Sequence, residues 1–270
     1  MRSISYLIAV LLCCCGPAAA TPLTLAESEQ LALTNQPQID GQRALARSQA
    51  DAAITARQLA DPRIKLAVQN VPTDTFSLSD DFMTQRTIAI EQMFPGGNKR
   101  ALRGRRGDEE AAQAAAEAVV LERTLRRESA LAWLDLYYLV ESERLIREQL
   151  GEARAATEAS RIAYGANKNG LEEVTIMQHT ANQLRDRVHE LAGQLGRARA
   201  SLRRWIGEAA DRELAQTLPP PAVWSLEQLK ADLPHHPQLA VYDKTIAAAE
   251  ADLLLAREAS KPDWSIELGY

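Results

Sequence analysis

Between Pro95 and Pro219 the chain contains no proline. That stretch therefore lacks the residue that most strongly breaks a helix interior. It is rich in Ala, Leu, Glu and Arg, all good helix formers. The run is interrupted once, where Gly165, Asn167, Asn169 and Gly170 cluster within Tyr164–Gly170, a turn composition. The pattern predicts two long antiparallel helices, 104–163 and 171–206. The first is placed near Gly104 because Lys99, Arg100, Arg103, Arg105 and Arg106 oppose the positive end of a helix dipole. Asp108, Glu109 and Glu110 suit it. At 1.5 Å per residue, roughly 60 residues span about 90 Å, a length that fits a tube or coiled-coil rod. In the second helix Met177, Ala181, Leu184, Val188, Leu191, Leu195, Ala198, Leu202 and Trp205 step alternately by four and three, which is a coiled-coil seam. Leu131 to Val140 in the first is apolar almost all round, so that segment is expected to be covered on more than one side.

An internal repeat surrounds this helical stretch. Shifted by 200 positions, the chain aligns with itself without gaps from Leu33 to Val68. Leu33 meets Leu233, Pro37-Gln38-Ile39 meets Pro237-Gln238-Leu239, Ala56-Arg57 meets Ala256-Arg257, and Pro62 meets Pro262. Repeats fix architecture before any single element does. Each copy reads as a short amphipathic helix, a turn, and a second helix starting at a proline, where no backbone donor is needed. A further proline ends that helix and a strand follows. The strands alternate with period two. Ile64, Leu66 and Val68 oppose Lys65, Ala67 and Gln69, and Trp264, Ile266, Leu268 and Tyr270 oppose Asp263, Ser265, Glu267 and Gly269. The organisation expected is a signal peptide at 1–20 and a first repeat at 21–210, then a linker at 211–223 and the start of a second repeat at 224–270. Within the first repeat, helices cover 25–60 and strands cover 62–71 and 83–94, joined by a polar loop. A strand of that second length suits a tilted outer-membrane strand of roughly 9–11 residues, although a soluble hairpin would alternate equally well.

Residues 1–20 combine a basic Arg2, an apolar stretch from Ile4 to Leu12 and small residues Ala18-Ala19-Ala20, the pattern of a secretory signal. All three cysteines, Cys13, Cys14 and Cys15, fall inside it. The mature chain would have no disulfide, thiol nucleophile or cysteine metal site; lipidation at Cys15 is an open alternative. Without those residues 30 bases face 36 acids, a net charge of −6. That balance argues against nucleic acid as a partner. No later apolar run is long enough for a spanning helix, so any membrane insertion must use β-strands.

The element order, with four local patterns, resembles the TolC family of outer-membrane efflux ducts. The patterns are Leu23 to Leu33 followed by Asn35-Gln36-Pro37-Gln38-Ile39, then Met83-Thr84-Gln85 with Gln92 to Arg100, then Tyr164 to Val174, and finally Leu202 to Gly207. The resemblance implies a mainly α fold with β: a periplasmic α-barrel of long antiparallel coiled-coil helices below an outer-membrane β-barrel. It also implies a homotrimer in outer-membrane lipid with its helical part in the periplasm. Its implied partners are a periplasmic adaptor (membrane fusion) protein and an inner-membrane pump of the RND class. The second helix and the second long helix would stack end to end beside the first long helix. Asn167, Lys168, Asn169, Gly170 and Leu171 would form the adaptor-contacting tip, with Asn167 where the family has a turn glycine and Glu173 where it has an aspartate. The strand-exit wording is most similar to heavy-metal ducts of the copper/silver or cobalt/zinc/cadmium kind. The family continues with a return strand and two more long helices. The chain stops at Tyr270, so it reads as a C-terminally truncated duct or a fragment.

No constellation of catalytic residues emerges, and no catalytic, metal or cofactor site is assigned. His189-Glu190 lacks the second histidine of a zinc hydrolase helix. His235-His236 aligns with Asn35-Gln36 and reads as a polar turn, and His179 and His189 stand alone. Glu172-Glu173 and Asp80-Asp81 read as solvated surface or caps. The basic run from Lys99 to Arg106 is either a solvated helix start or a contact for anionic head groups. Three functions remain: a passive outer-membrane duct for heavy-metal ions, a periplasmic coiled-coil scaffold without membrane strands, and a non-functional truncated duct.

Overall fold

The computed structural model describes residues 21–270 apart from Asn35, Asp80, Asp81 and Ala222. The signal peptide, Cys13–Cys15 and the Asp80-Asp81 pair therefore lie outside the described residues. The elements, in order, are α1 (Leu25–Thr34), α2 (Pro37–Arg57), β1 (Arg63–Gln69), β2 (Gln85–Phe94) and α3 (Lys99–Gly165). There follow α4 (Leu171–Ile206), α5 (Leu226–Asp232), α6 (Pro237–Glu258) and β3 (Trp264–Gly269), with 3-10 turns at Gly207–Asp211 and Leu233–His235. The chain forms two compact units. One comprises the residues up to Pro37 with Glu122–Val223, the other Gln38–Leu121 with Trp224–Tyr270; α3, of 67 residues, contributes to both.

In the first unit α3 and α4 pack along the seam legible in the sequence. All nine heptad positions from Met177 to Trp205 are buried or half-buried, while nearly all the intervening residues of α4 are exposed. The core gathers Leu23, Trp133, Leu136, Leu202 and Ile206. Trp133 is fully buried, its Nε1 donates to Leu23 O at 3.2 Å, and its ring stacks on Tyr137 at 5.3 Å. Ser28 and Ser129, both buried, satisfy each other through their hydroxyls at 2.8 Å. The segment before α1 is tied into this core as well. Leu23 bridges Leu214 in parallel, with Leu23 N donating to Glu213 O at 2.7 Å and Ala215 N to Leu23 O at 3.0 Å. Arg212 adds an ion pair to Glu27 at 2.6 Å. The first half of the segment read as a linker is thus part of the packed unit. Gln36 Nε2 donates to Arg204 O at 2.9 Å, at the C-terminal end of α4, just before α2 begins at Pro37. Coverage of Leu131–Val140 differs from the expectation. Ala132, Trp133 and Leu136 are buried, but Leu131 is 50% and Tyr138 71% exposed, so this chain covers one side only.

In the second unit α2 and α6, equivalent helices of the two repeat copies, both pack against the start of α3. Approach of α2 is close because α3 offers glycines there. A Cβ on Gly107 would lie 2.7 Å from Ala53 Cβ and 2.9 Å from Ala53 Cα. Gln42 Nε2 donates to Glu117 Oε2 at 3.0 Å, and Arg57 pairs with Asp108. On α6, Lys244 meets Glu109 at 3.1 Å and Asp252 meets Arg106 at 3.0 Å. The start of α3 is at Lys99, not near Gly104. The strands form one antiparallel sheet in the order β1-β2-β3, so the second-copy strand pairs with the first-copy hairpin.

Candidate functional site

The sheet is amphipathic across all three strands. The register sets Ile64 opposite Ile90 and Leu66 opposite Ile88, then Ile90 opposite Leu268, Gln92 opposite Ile266 and Phe94 opposite Trp264. Paired residues in a sheet point to the same side, so these side chains form one broad, largely apolar face, interrupted by Gln92 and by Arg86 opposite Val68. It is open: Leu66 is 75% and Leu268 74% exposed. At the end of that face nearest the helices, Phe94 stacks on Trp264, with centroids 4.6 Å apart and planes 18° apart. The opposite face is mostly polar or small, with Arg63, Lys65, Ala67 and Gln69 beside Glu91, Ala89, Thr87 and Gln85, and Glu267 and Ser265 on β3; Met93, opposite Ser265, is its one large apolar residue. Lys65 Nζ lies 3.0 Å from Glu91 Oε2 and 2.5 Å from Glu267 Oε2. A soluble protein hides an apolar sheet face, whereas an outer-membrane strand turns it to lipid, edges it with aromatics and keeps the other face polar.

The junction between sheet and helices explains the early start of α3. Gly97 has φ +63°, the left-handed conformation glycine tolerates, and it turns the chain out of β2. The turn is clamped by the second repeat copy. Gly96 N donates to Asp263 Oδ1 at 2.8 Å and Asn98 N to Glu258 Oε2 at 2.8 Å. Lys99 Nζ donates to Asp263 Oδ1 at 2.7 Å and to Lys261 O at 2.5 Å. Lys99, although cationic, therefore brings carboxylates to the N-terminal end of α3, where negative charge is favourable. The Lys99 ammonium, with the Gly96 N–H, holds the Asp263 carboxyl below its ordinary range. Lys261, with the Asn98 N–H, does the same for Glu258. The first copy has Gln58 and Arg63 where the second has Glu258 and Asp263. The gain of an acid at one aligned position and the reversal of charge at the other are the signal from which the clamp could have been read.

At the far end of α3 the turn closes as a Schellman motif. Lys168 N donates to Ala163 O and Asn167 N to Tyr164 O, both at 2.9 Å, with Asn167 at φ +62°. Asparagine thus fills the left-handed position in which the resemblance implies glycine. Of the five tip residues named from the sequence, Asn167, Lys168, Gly170 and Leu171 are exposed. Asn169 turns inward, donating to Ser160 O at 3.1 Å and Ser160 Oγ at 2.9 Å. Glu172 and Glu173 lie exposed in the first turn of α4.

The histidines are not gathered. His236 caps α6, its Nδ1 accepting from Gln238 N at 3.2 Å, and His179 contacts Gln183 on the exposed side of α4. Among the described residues no group of three or more His, Cys, Asp or Glu could hold a metal ion. Among them, too, no helix is long and apolar enough to cross a membrane.

No family model and no curated protein matches the chain. Solved structures do. The outer membrane protein VceC from Vibrio cholerae superposes with a TM-score of 0.71 at 17% identity, over 91% of this chain and 61% of that one. The Campylobacter jejuni CmeC outer membrane channel gives 0.69 at 10%, over 90% and 55%. CusC, described in terms of folding and transmembrane channel formation, gives 0.69 at 13%, over 91% and 58%. The chain has the TolC-like outer-membrane channel fold. It spans between 55% and 61% of the length of these three channels. Of these structures, CmeC is described as an outer membrane channel, CusC by its channel formation and VceC as an outer membrane protein; none is described as an enzyme.

Proposed function

We propose that the chain belongs to a passive outer-membrane efflux duct, the outer-membrane component of a tripartite system, and that it carries heavy-metal ions. The observation that carries this reading is the sheet. One face is apolar, open and edged by the Phe94–Trp264 stack, and the other carries Lys65, Glu91 and Glu267. Such a sheet suits lipid on one side and water on the other. β2, with 10 residues, has a suitable spanning length. The open side of α3 at Leu131 and Tyr138 supports a homotrimer in which neighbouring copies cover it. The exposed Asn167, Lys168, Gly170 and Leu171 supply the surface for a periplasmic adaptor, behind which stands an inner-membrane RND pump. The helical part then lies in the periplasm. The metal-ion cargo rests on the wording of the strand exit, Gln92 to Arg100.

Fractionation of the expressed chain followed by an unboiled gel tests this function. An outer-membrane band at trimer size that falls to monomer on boiling is the expected result. A soluble periplasmic monomer would instead favour the coiled-coil scaffold.

A further inference from the structure

The three segments that join strands to helices meet at one end of the sheet. Gln92 Nε2 on β2 donates to Ala60 O at 2.7 Å, and Gly96 N donates to Asp263 Oδ1 at 2.8 Å. Residues 57–63, 95–106 and 257–263 together carry nine bases and three acids. The rest of the chain from Thr21 onward carries 21 bases against 33 acids. A chain that is acidic elsewhere has therefore gathered positive charge at the end of the sheet where Phe94 stacks on Trp264.

Lysine and arginine divide the work there. Lys99 and Lys261 hold the clamp, through Asp263 and Glu258. The other seven bases are arginines. Arg106 pairs with Glu110 and Asp252, and Arg57 with Asp108. Arg100, Arg103, Arg105 and Arg257 are exposed and pair with no acid among the described residues. Like charge crowded in this way repels itself. A phosphate, which guanidinium grips through two parallel N–H bonds, relieves that repulsion.

Helix geometry separates two sides of α3. At about 3.6 residues per turn, Arg103 falls on the side of Lys99, and its charge helps to lower the Asp263 carboxyl. Alternation sets Asp263 with Ser265 and Glu267, on the polar face of the sheet. Arg103 and Arg106 also line a groove with Gln49, Ala53 and Leu255. Arg105 falls on the other side with Ala101 and Asp108, all three exposed. Arg57 borders that side, its side chain lying across Gly104 to reach Asp108. This side continues the apolar face that the Phe94–Trp264 stack edges.

We propose that Arg105 and Arg57 bind the phosphate of anionic phospholipid head groups, so that the chain gathers such lipid around the helix end of its sheet. That lipid touches the apolar face rests on the duct reading; the choice among lipids does not follow from it. An apolar face takes any acyl chain, whereas arginine at head-group level favours anionic lipid.

The test uses the full chain reconstituted in phosphatidylcholine bilayers that contain a minor fraction of brominated lipid. In one set the brominated lipid is phosphatidylglycerol, in the other phosphatidylcholine. Bromine quenches tryptophan at contact range, and Trp264→Phe identifies the part of the signal that comes from the rim. Quenching at Trp264 should report phosphatidylglycerol enriched about tenfold over phosphatidylcholine, with each arginine supplying roughly threefold. Arg57→Gln/Arg105→Gln should remove the preference, whereas Arg103→Gln, on the polar side, should keep it. Quenching by brominated phosphatidylcholine, unchanged in the variants, shows that their sheets are still inserted. Equal quenching of the parent by both lipids would overturn the proposal. So would a preference that Arg103→Gln lowers as much as Arg105→Gln, the mark of diffuse charge. Failure of the duct reading would appear separately, as no quenching of Trp264 by either lipid, and would take the proposal with it.

Discussion

Replacing Trp133 with alanine should uncouple the segment before α1 from the helical core. Trp133 is fully buried, stacks on Tyr137, and donates to the carbonyl of Leu23, itself fully buried. Truncating a buried Trp to Ala costs about 3–5 kcal/mol through lost transfer energy and the cavity left behind. The lost hydrogen bond adds little, since Leu23 O keeps the Ala215 N–H. Trp133→Phe retains most of the ring and the stack and should cost about 1–2 kcal/mol, from the missing donor and reduced volume. Urea unfolding followed at the helical circular dichroism band measures both. Amide exchange at Leu23 and Ala215 should accelerate in Trp133→Ala well before global unfolding, because these amides belong to the bridge that Trp133 covers. A Trp133→Ala protein within about 1 kcal/mol of the parent, where a cavity term should appear, would refute the reasoning. Unchanged exchange at Leu23 would do so too.

Other outcomes follow from the same geometry. Asn167→Gly should leave the tip folded, whereas Asn167→Val, forced to φ near +62°, should lower stability by about 1–2 kcal/mol, read as a fall in melting temperature confined to the valine variant. Gly107→Val should destabilise by about 1–3 kcal/mol through overpacking against Ala53; Gly151→Ala, with nothing within 4 Å of its Cβ, should stabilise by about 1 kcal/mol, and thermal melts compare the two. The Asp263 and Glu258 carboxyls are held below their ordinary range in the folded chain. Their contribution is therefore present above the unfolded values and lost as pH falls through the folded ones, below about pH 4. Protease sensitivity at the Gly96–Lys99 turn should rise on acidification in the parent. In Glu258→Gln/Asp263→Asn it should be high already at neutral pH and change little; equal pH profiles would contradict the clamp.

The seam of α4 was legible because a heptad needs only local spacing, and each of its nine heptad positions from Met177 to Trp205 is at least half-buried. The turn at Asn167 was legible for a similar reason, since few residues accept a left-handed backbone. Strand alternation gave the faces of β1 and β3 but not their order. The pairing of β3 with β2 depends on contacts between segments well over 150 residues apart, which periodicity does not encode. The start of α3 is not legible locally, because a run of bases opposes the helix dipole and only Asp263, from the other repeat copy, matches Lys99. The Leu23–Leu214 bridge left no local pattern at all, since a single bridge has no period. At the tip, the resemblance marked five residues together, but only side-chain packing separates the inward Asn169 from the four that face outward.

The central claim is that the sheet meets lipid with one face and water with the other. All three cysteines lie in the first 20 residues, so single cysteines can be placed at Thr87, Ile88, Ala89, Ile90 and Glu91 without background once those residues are removed. Labelling intact outer membranes with a water-soluble maleimide then reads the pattern directly. The account predicts reaction at 87 and 91 and protection at 88 and 90, reversed with a lipid-phase reagent, while 89, where Ala89 is only 2% exposed, stays shielded from both. Uniform labelling along β2, or a chain labelled in the soluble fraction alone, would contradict it.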